Sequence, residues 1–573
     1  MEERIEPSTY DVIVLGTGLP ESVLAASIAA CGKSVLHLDC TGFYGAHWTS
    51  LSFPQISSFA SSSNGHLPCP EYFPHHQILS PRMPSAPDDS VDSDGNSGFQ
   101  QVHGLAQQQH PDGGSVADPG SFSPPNRSFG NGALAGPKLA FCAGPLIDSL
   151  LRLQAEHHVK FTAVESSYIW RDHVLAAVPA SRAEIFQDRS LSLPDKRFLM
   201  RFFKLVTDYA ESPNGTVAEL STSDLERPFV EILQRQNLPP YIRDIILYAI
   251  ALADQDQEQD QEQASDARRV LRAKEGFATL ALYLASGSRF PTAPGPFLYP
   301  MYGQGDLTQA FCRCAAVCGA LQILRMQVSG FLIDKETKEY KGIETASGQH
   351  LYSGKLITGP SFCLRSVSST STEDRDNGEE TAHHSFSEST STTTDSVNKV
   401  ARCICITDQS LQPGVSTLLV IFPPRCLHIR TALVVRALQL GSRSEICPDG
   451  KYVVQLSTVC SNSTAGDEAL QAAVDALFHS ESRESQVTDT NSKPKLLWSL
   501  CYVQTMTTPW ANWGDVGMCC MPDGTLDYRT IMAQTETVFH KLFPEQEFLP
   551  RVVVAANNVE DGEADDVDGV NSV

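Results

Sequence analysis

The chain has 573 residues, 41% hydrophobic and 19% charged, enough for two or more packed domains. A net charge of −24 at pH 7 argues against a nucleic-acid surface. No run approaches the roughly 18 consecutive apolar residues of a membrane helix, and the charged start Met1-Glu2-Glu3-Arg4 lacks an apolar signal-peptide centre.

Near the N-terminus, Val-Ile-Val-Leu at 12–15 predicts a buried parallel strand. Gly16 and Gly18 fit a tight turn into a small-residue helix over 22–30. A second strand over 34–38 ends in Asp39, where a ribose-binding acid would stand. This is the spacing of a dinucleotide fingerprint, but its third glycine is Glu21. A pyrophosphate would use the positive helix N-terminus at this point, and a carboxylate repels and obstructs it. The expectation is a dinucleotide-binding fold kept as scaffold, with no cofactor.

Residues 54–131 are rich in Ser, Pro, Gly, Gln and His, and cannot bury enough apolar area to order themselves. Helical spacing returns over 139–153, then over 195–209 with Phe198, Phe202, Leu205 and Tyr209 on one stripe. Ser223 and Glu226 have capping-box spacing for a helix running to Leu233, and 241–252 and 277–284 complete a helical block. The acidic run 254–266 (six acids, no base) and a second run over 560–568 read as solvated segments. Residues 306–313 read as the first two turns of a helix, with Asp306, Gln309 and Arg313 on one face. Strand patterns follow at 330–334, 401–406, 417–422, 452–457 and 496–504.

The expected fold class is α/β: a discontinuous FAD/NAD(P)-binding-like, Rossmann-type domain with an inserted all-helical domain. The expected boundaries are 1–53 for the first part of domain I, a disordered insertion over 54–131, and domain I again over 132–178. The helical domain II then spans 179–290, with its acidic low-complexity loop at 253–266. Domain I continues over 291–365, a Ser/Thr-rich disordered insertion covers 366–398, and domain I ends over 399–550 before a flexible acidic tail, 551–573.

Sixteen cysteines show no framework spacing, and Cys312-x-Cys314 and Cys519-Cys520 lack the partners of a zinc site. Reduced thiols in a cytosolic protein are expected, with no metal centre. No catalytic constellation and no Gly-x-x-x-x-Gly-Lys phosphate loop occurs.

Three separated motifs carry a family resemblance. They are Asp11-Val-Ile-Val-Leu-Gly-Thr-Gly-Leu-Pro-Glu-Ser22 with Lys33 to Asp39 and Phe43-Tyr44-Gly45; Val178-Pro-Ala-Ser-Arg-Ala-Glu-Ile-Phe186 followed by Asp195-Lys-Arg-Phe-Leu-Met-Arg201; and Phe297-Leu-Tyr-Pro-Met-Tyr-Gly-Gln-Gly-Asp-Leu-Thr-Gln-Ala-Phe-Cys-Arg313. Together they resemble the superfamily of Rab GDP-dissociation inhibitors and Rab escort proteins. His47-Trp48-Thr-Ser-Leu-Ser-Phe53 and the long insertion after it are similar to the escort branch. Ala46 replaces a usual glycine and Thr308 a usual proline.

The resemblance implies a non-catalytic accessory subunit. It would bind newly made, GDP-bound Rab GTPases, present them to the Rab geranylgeranyltransferase α/β heterodimer, and carry the prenylated product to membranes. Two geranylgeranyl groups carry about forty carbons, each buried methylene being worth roughly 0.8 kcal/mol, so a carrier must supply an apolar cleft. By the same resemblance Tyr44, Asp306, Gln309 and Arg313 form the Rab-binding platform, whereas the residues alone leave an ordinary polar helix face with Asp306 as cap. Phe198, Phe202, Phe203 and Ile246 are the candidate lipid-binding residues, although core packing accounts equally for such stripes. The resemblance places transferase docking on the helical domain and its margin, with Arg325 as a candidate contact. A cytosolic location with transient membrane contact follows. The alternatives are a Rab GDP-dissociation inhibitor and, more remotely, a flavoprotein oxidoreductase.

Overall fold

The computed structural model describes residues 4–52, 76–82, 131–179, 184, 191–212, 220–257, 270–334, 337, 339–359, 399–479, 493–506 and 514–551. The elements that position the candidate site are, in chain order, β1 (Thr9–Leu15), α1 (Leu19–Ala30), β2 (Val35–Leu38), the hairpin β3 (Ser166–Arg171) and β4 (Val174–Val178), α2 (Leu193–Glu211), α3 (Pro240–Asp244), α4 (Ala273–Arg289) and α5 (Gly305–Val317).

β1 is buried from Val12 to Leu15 and leaves the sheet at Gly16, whose φ of 99° is open to glycine and strained for other residues. It lies between β2 and the strand His350–Thr358, parallel to both. Leu321–Ile323 and Val516–Met518 extend the parallel core, and Tyr340–Thr345 and Val328–Ile333 add antiparallel strands to make seven. Parallel neighbours need crossovers, and α1 supplies the one between β1 and β2. The α/β, Rossmann-type expectation holds. Helices α1, α5 and Arg529–Leu542 share one apolar cluster with Val12 and Val14 of β1, on one face of this sheet.

A second, eight-stranded sheet runs His76–Arg82, Leu496–Thr505, Lys399–Thr407, Tyr452–Cys460, Val435–Leu440, Leu418–Phe422, β3 and β4. Its first strand falls inside the stretch expected to be disordered and pairs antiparallel with Leu496–Thr505. The rest of 54–130, and all of 366–398 and 552–573, lie outside the described residues. Across this sheet Cys403 stands opposite Cys501 and the two are joined as a disulfide. That corrects the expectation of wholly reduced thiols: a partner 98 residues away is set by strand register, which no local spacing reveals. Cys312, Cys314, Cys519 and Cys520, the two close pairs of the sequence, are free thiols.

The helices depart from the sequence in instructive ways. The stretch expected as one helix over 139–153 is a strand, Ala140–Phe141, then a helix beginning at Pro145, where proline's fixed φ suits the first turn. The capping box is Ser221 with Asp224, two residues before the expected one, and Pro228 separates Thr222–Leu225 from Phe229–Arg235. Residues 241–252 hold only the short α3 followed by a π-helical segment, Ile245–Ile250.

The acidic run is also not wholly solvated at its start. Asp254 pairs with Arg436 at 2.6 Å, and Asp256, almost fully buried, pairs with Arg425. Both clamps tie the helical block to the eight-stranded sheet. The apolar core continues across the same boundary: Phe202, Val206, Ile246 and Phe277 belong to one cluster with Leu419, Leu438, Leu500 and Tyr502.

Candidate functional site

The turn that would cradle a dinucleotide's phosphates is filled by the protein itself. Glu21, in the first turn of α1, is buried, and its carboxyl occupies the space that a Cβ at Gly18 or at Gly359 would need. Burial pushes its pKa up to about 8, with the charge of Asp39 adding to the effect, so the group is largely neutral at pH 7. Its Oε2 finds no hydrogen-bond partner. Asp39, at the ribose position, is consumed internally. Its Oδ2 accepts from the Thr17 amide (2.8 Å) and hydroxyl (2.6 Å), and its Oδ1 from the Thr41 amide (2.8 Å) and hydroxyl (2.7 Å). Trp48, fully buried, packs over the same turn and stacks on Tyr528 at 6.1 Å. A flavin or nicotinamide dinucleotide does not fit this arrangement: its phosphates would collide with Glu21 and its ribose would find Asp39 already satisfied.

The turn above the filled cradle carries the predicted platform. α5 starts after Gly303 and presents Asp306, Gln309 and Arg313 on one face, the first two half-buried and Arg313 exposed. The N-cap residue is Gln304, whose side chain makes no cap, and the Ser50 hydroxyl accepts from the Gly305 amide at 3.4 Å, so Asp306 does not hold the cap position that the residues alone would allow. Burial raises the Asp306 pKa and the Arg313 charge opposes the rise. Tyr44 arrives from the loop after β2. Its pKa is raised chiefly by burial, with Cys312 adding and Arg313 opposing, which places its phenol within electrostatic reach of Arg313. Tyr44 and Asp306 thus both lie within reach of the Arg313 charge, and Gln309 shares the helix face with Asp306 and Arg313. Cys312, on the inner face of α5, contacts Ser22 of α1 at 3.3 Å and seats the platform directly on the filled cradle.

Tyr302 was not singled out by the sequence reading. It is half exposed, with a φ of 66° that costs a bulky residue strain, and it introduces the turn into α5. Its place inside the Phe297 to Arg313 motif was the only signal available.

Arg325 is not at the margin of the helical block. Its amide donates to the Thr41 carbonyl at 2.8 Å, and its guanidinium lies over Gly42, whose missing side chain makes the room. It borders the Tyr44 loop instead, because the strand Leu321–Ile323 pairs with β2 and delivers it there.

The four lipid candidates separate. Phe203 and Ile246 line an apolar cavity of about 30 Å³ together with Leu199, Ile242, Ile245 and Ile250, between α2, α3, the π segment and the β3–β4 hairpin. Phe202 does not reach it: its ring packs against Phe277 at 6.1 Å in the core. Phe198 is 38% exposed on the outer face of α2. The helical period puts Phe198, Phe202 and Phe203 on one broad face of α2, with Ile246 expected opposite, but α2 is covered on one side only.

Sequence comparisons place this fold among known proteins. A sequence model described as GDP dissociation inhibitor matches residues 1–67 and 124–375, and one for the RAE1/2 domain I C-terminal region matches 400–516. The chain is 37% identical to Rab escort protein 1 of Arabidopsis thaliana over 98% of this chain and 97% of that protein. It is 24% identical to Rab proteins geranylgeranyltransferase component A 2 of Homo sapiens over 95% and 92% of the two chains. Among solved structures, the Rab GDI of Plasmodium falciparum superposes with a TM-score of 0.63 at 18% identity, covering 94% of this chain and 99% of that one. The chain belongs to the GDP dissociation inhibitor family, in its Rab escort protein branch.

Proposed function

We propose that this protein is a non-catalytic Rab escort subunit of the Rab geranylgeranyltransferase. It would bind GDP-bound Rab GTPases, before and after prenylation, on the Tyr44, Asp306, Gln309 and Arg313 face. It would present them to the transferase α/β heterodimer and then shelter the geranylgeranyl groups until transient contact with a membrane. The observation that carries this reading is the face of α5, where an exposed guanidinium stands with a half-buried carboxyl and an amide, joined by the Tyr44 phenol from the loop after β2 and seated over a cradle that Glu21 closes to phosphates. Such a face offers acceptor, amide and charge-assisted donors to the switch loops of a partner. The match of 400–516 to the escort-type region favours this over a Rab GDP-dissociation inhibitor. No described helix is long and apolar enough to cross a membrane, and a cytosolic protein with peripheral membrane contact is the location we infer.

The lipid reading now rests on the cavity between α2 and the π segment. Ligand pockets usually run to about 300–1,000 Å³, and 30 Å³ is a water-sized gap. The reading therefore requires α2 and Ile245–Ile250 to part. A π-helical turn, rare in general and frequent at functional sites, is a suitable place for that movement. For transferase docking, we add the exposed side of α2 to Arg325 as a candidate: Phe198 and Arg197 are both exposed there, and aromatic residues and arginine are enriched at interfaces.

Arg313→Ala is the deciding variant. It should weaken Rab·GDP binding more than tenfold, about 1.4 kcal/mol, and slow geranylgeranylation of a Rab in a reconstituted assay while leaving the unfolding midpoint unchanged. Unaltered affinity in a titration would remove the platform.

A further inference from the structure

A second pocket, of about 430 Å³, opens beside the apolar cavity. Its walls are the β3–β4 turn (Arg171, Asp172, His173), the start of the helical segment (Tyr241, Asp244, Ile245) and the Pro423 to Cys426 loop. Arg171, Tyr241 and Ile245 line both spaces, so the two are separated by one layer of side chains. At that seam the Arg171 guanidinium lies over the Tyr241 ring at 5.1 Å, and the Tyr241 hydroxyl donates to Asp195 at 2.9 Å. An isoprenoid entering the apolar side has to leave its polar head here, in a space already open and lined by a cation with only a weak tether. Arg171 contacts Asp172 at 3.5 Å, but that carboxylate is 87% exposed and gives way at little cost. Arg425, by contrast, is committed to buried Asp256.

We propose that this pocket binds the carboxyl-terminal end of a prenylated peptide, with Arg171 holding its terminal carboxylate while the hydrocarbon passes Tyr241 and Ile245 into the apolar cavity. The inference rests on the lipid reading above and adds the chemical identity of the head group. Guanidinium suits the role because its planar fork meets a carboxylate with two parallel hydrogen bonds, while its face stays on the tyrosine ring. Two other acids line the pocket, Asp172 and Asp244, so a second anion elsewhere in it is disfavoured and the carboxylate is directed to the seam.

The test uses the full chain and a short peptide ending in S-geranylgeranyl cysteine, offered as free acid, as methyl ester and without the lipid, with binding followed by calorimetry. The acid should bind about tenfold tighter than the ester. Arg171→Ala should bring the two within about twofold. Asp172→Asn removes the competing carboxylate and should tighten acid binding at least twofold. An acid-to-ester ratio that survives Arg171→Ala, or weaker acid binding by Asp172→Asn, overturns the proposal. Equal binding of acid and ester by the unaltered protein also overturns it, while leaving the lipid reading intact. If neither prenylated form binds better than the bare peptide, the lipid reading itself has failed. Geranylgeranyl diphosphate binding more tightly than the acid, and depending on Arg171, would assign the seam to a free isoprenoid diphosphate and overturn the peptide assignment.

Discussion

Glu21 turns a phosphate-binding turn into a sealed one, and its protonation has a measurable consequence. The folded-state pKa stands near 8 against an ordinary 4.5, with burial as the main cause. Between those values the unfolded chain is ionised and the folded one keeps its proton. The contribution of Glu21 to stability is therefore full below pH 4.5 and falls as pH rises, by about 1.4 kcal/mol for each unit, until the folded group also ionises. Glu21→Gln, a neutral near-isostere, should flatten that slope in urea unfolding between pH 5 and pH 8. An unchanged slope would mean that the carboxyl is not neutral in the folded protein. The sequence allowed this residue to be singled out because a glycine position held a carboxylate. It did not reveal that the carboxyl would sit against Gly359, which is brought in by a strand more than 300 residues away. Arg402 was less legible still. It is fully buried and donates to the carbonyls of Ala135, Pro522 (3.0 Å) and Asp523 (3.1 Å) and to Gln504 (3.2 Å), a role that depends wholly on tertiary placement.

At the scale of single elements, the long periodic segments were legible. α2 was expected over 195–209 and spans Leu193–Glu211; the strand expected over 452–457 spans Tyr452–Cys460. Short buried pieces were less so, because a few apolar residues in a row suit strand, α-helix and π-helix alike. The face each helix buries was harder again, and so Phe198, Phe202 and Phe203, adjacent in sequence, have three different surroundings. α4 illustrates how closely the block is packed. Gly276 lies against Phe229, and a Cβ there would come within 2.5 Å of the ring. Phe229 is itself fully buried and set edge-on to Phe277 at 5.5 Å, so it has no room to yield. Helix propensity alone would favour Gly276→Ala by about 1 kcal/mol, but overpacking costs about 1–3 kcal/mol. We expect a net loss of stability, read as a lower urea midpoint. A rise would show that the Phe229 ring can move aside.

Across the whole molecule, the first sheet was readable from one fingerprint and the second was not, since its strands come from four distant stretches and its pairing is antiparallel except where β3 meets Leu418–Phe422. The shared face of Asp306, Gln309 and Arg313 was legible because two turns of one helix carry it, whereas the apolar cavity draws on α2, α3 and the β3–β4 hairpin together. The join between helices and sheet depends on Asp254 and Arg436, the latter almost fully buried and also donating to the carbonyls of Leu252 and Ala253 at 2.9 Å. Asp254→Asn should lower stability by about 1–3 kcal/mol, the cost of a buried donor losing its charged partner. Fluorescence and circular dichroism should still report a single coincident transition.

That joint interior limits how this protein can be taken apart. An excised piece covering 191–289 would lose the floor that Leu419, Leu438 and Tyr502 provide and expose Phe202 and Ile246 to water. Any parting of α2 from Ile245–Ile250 is felt at the strands beneath, because both belong to one cluster with Leu419 and Leu438.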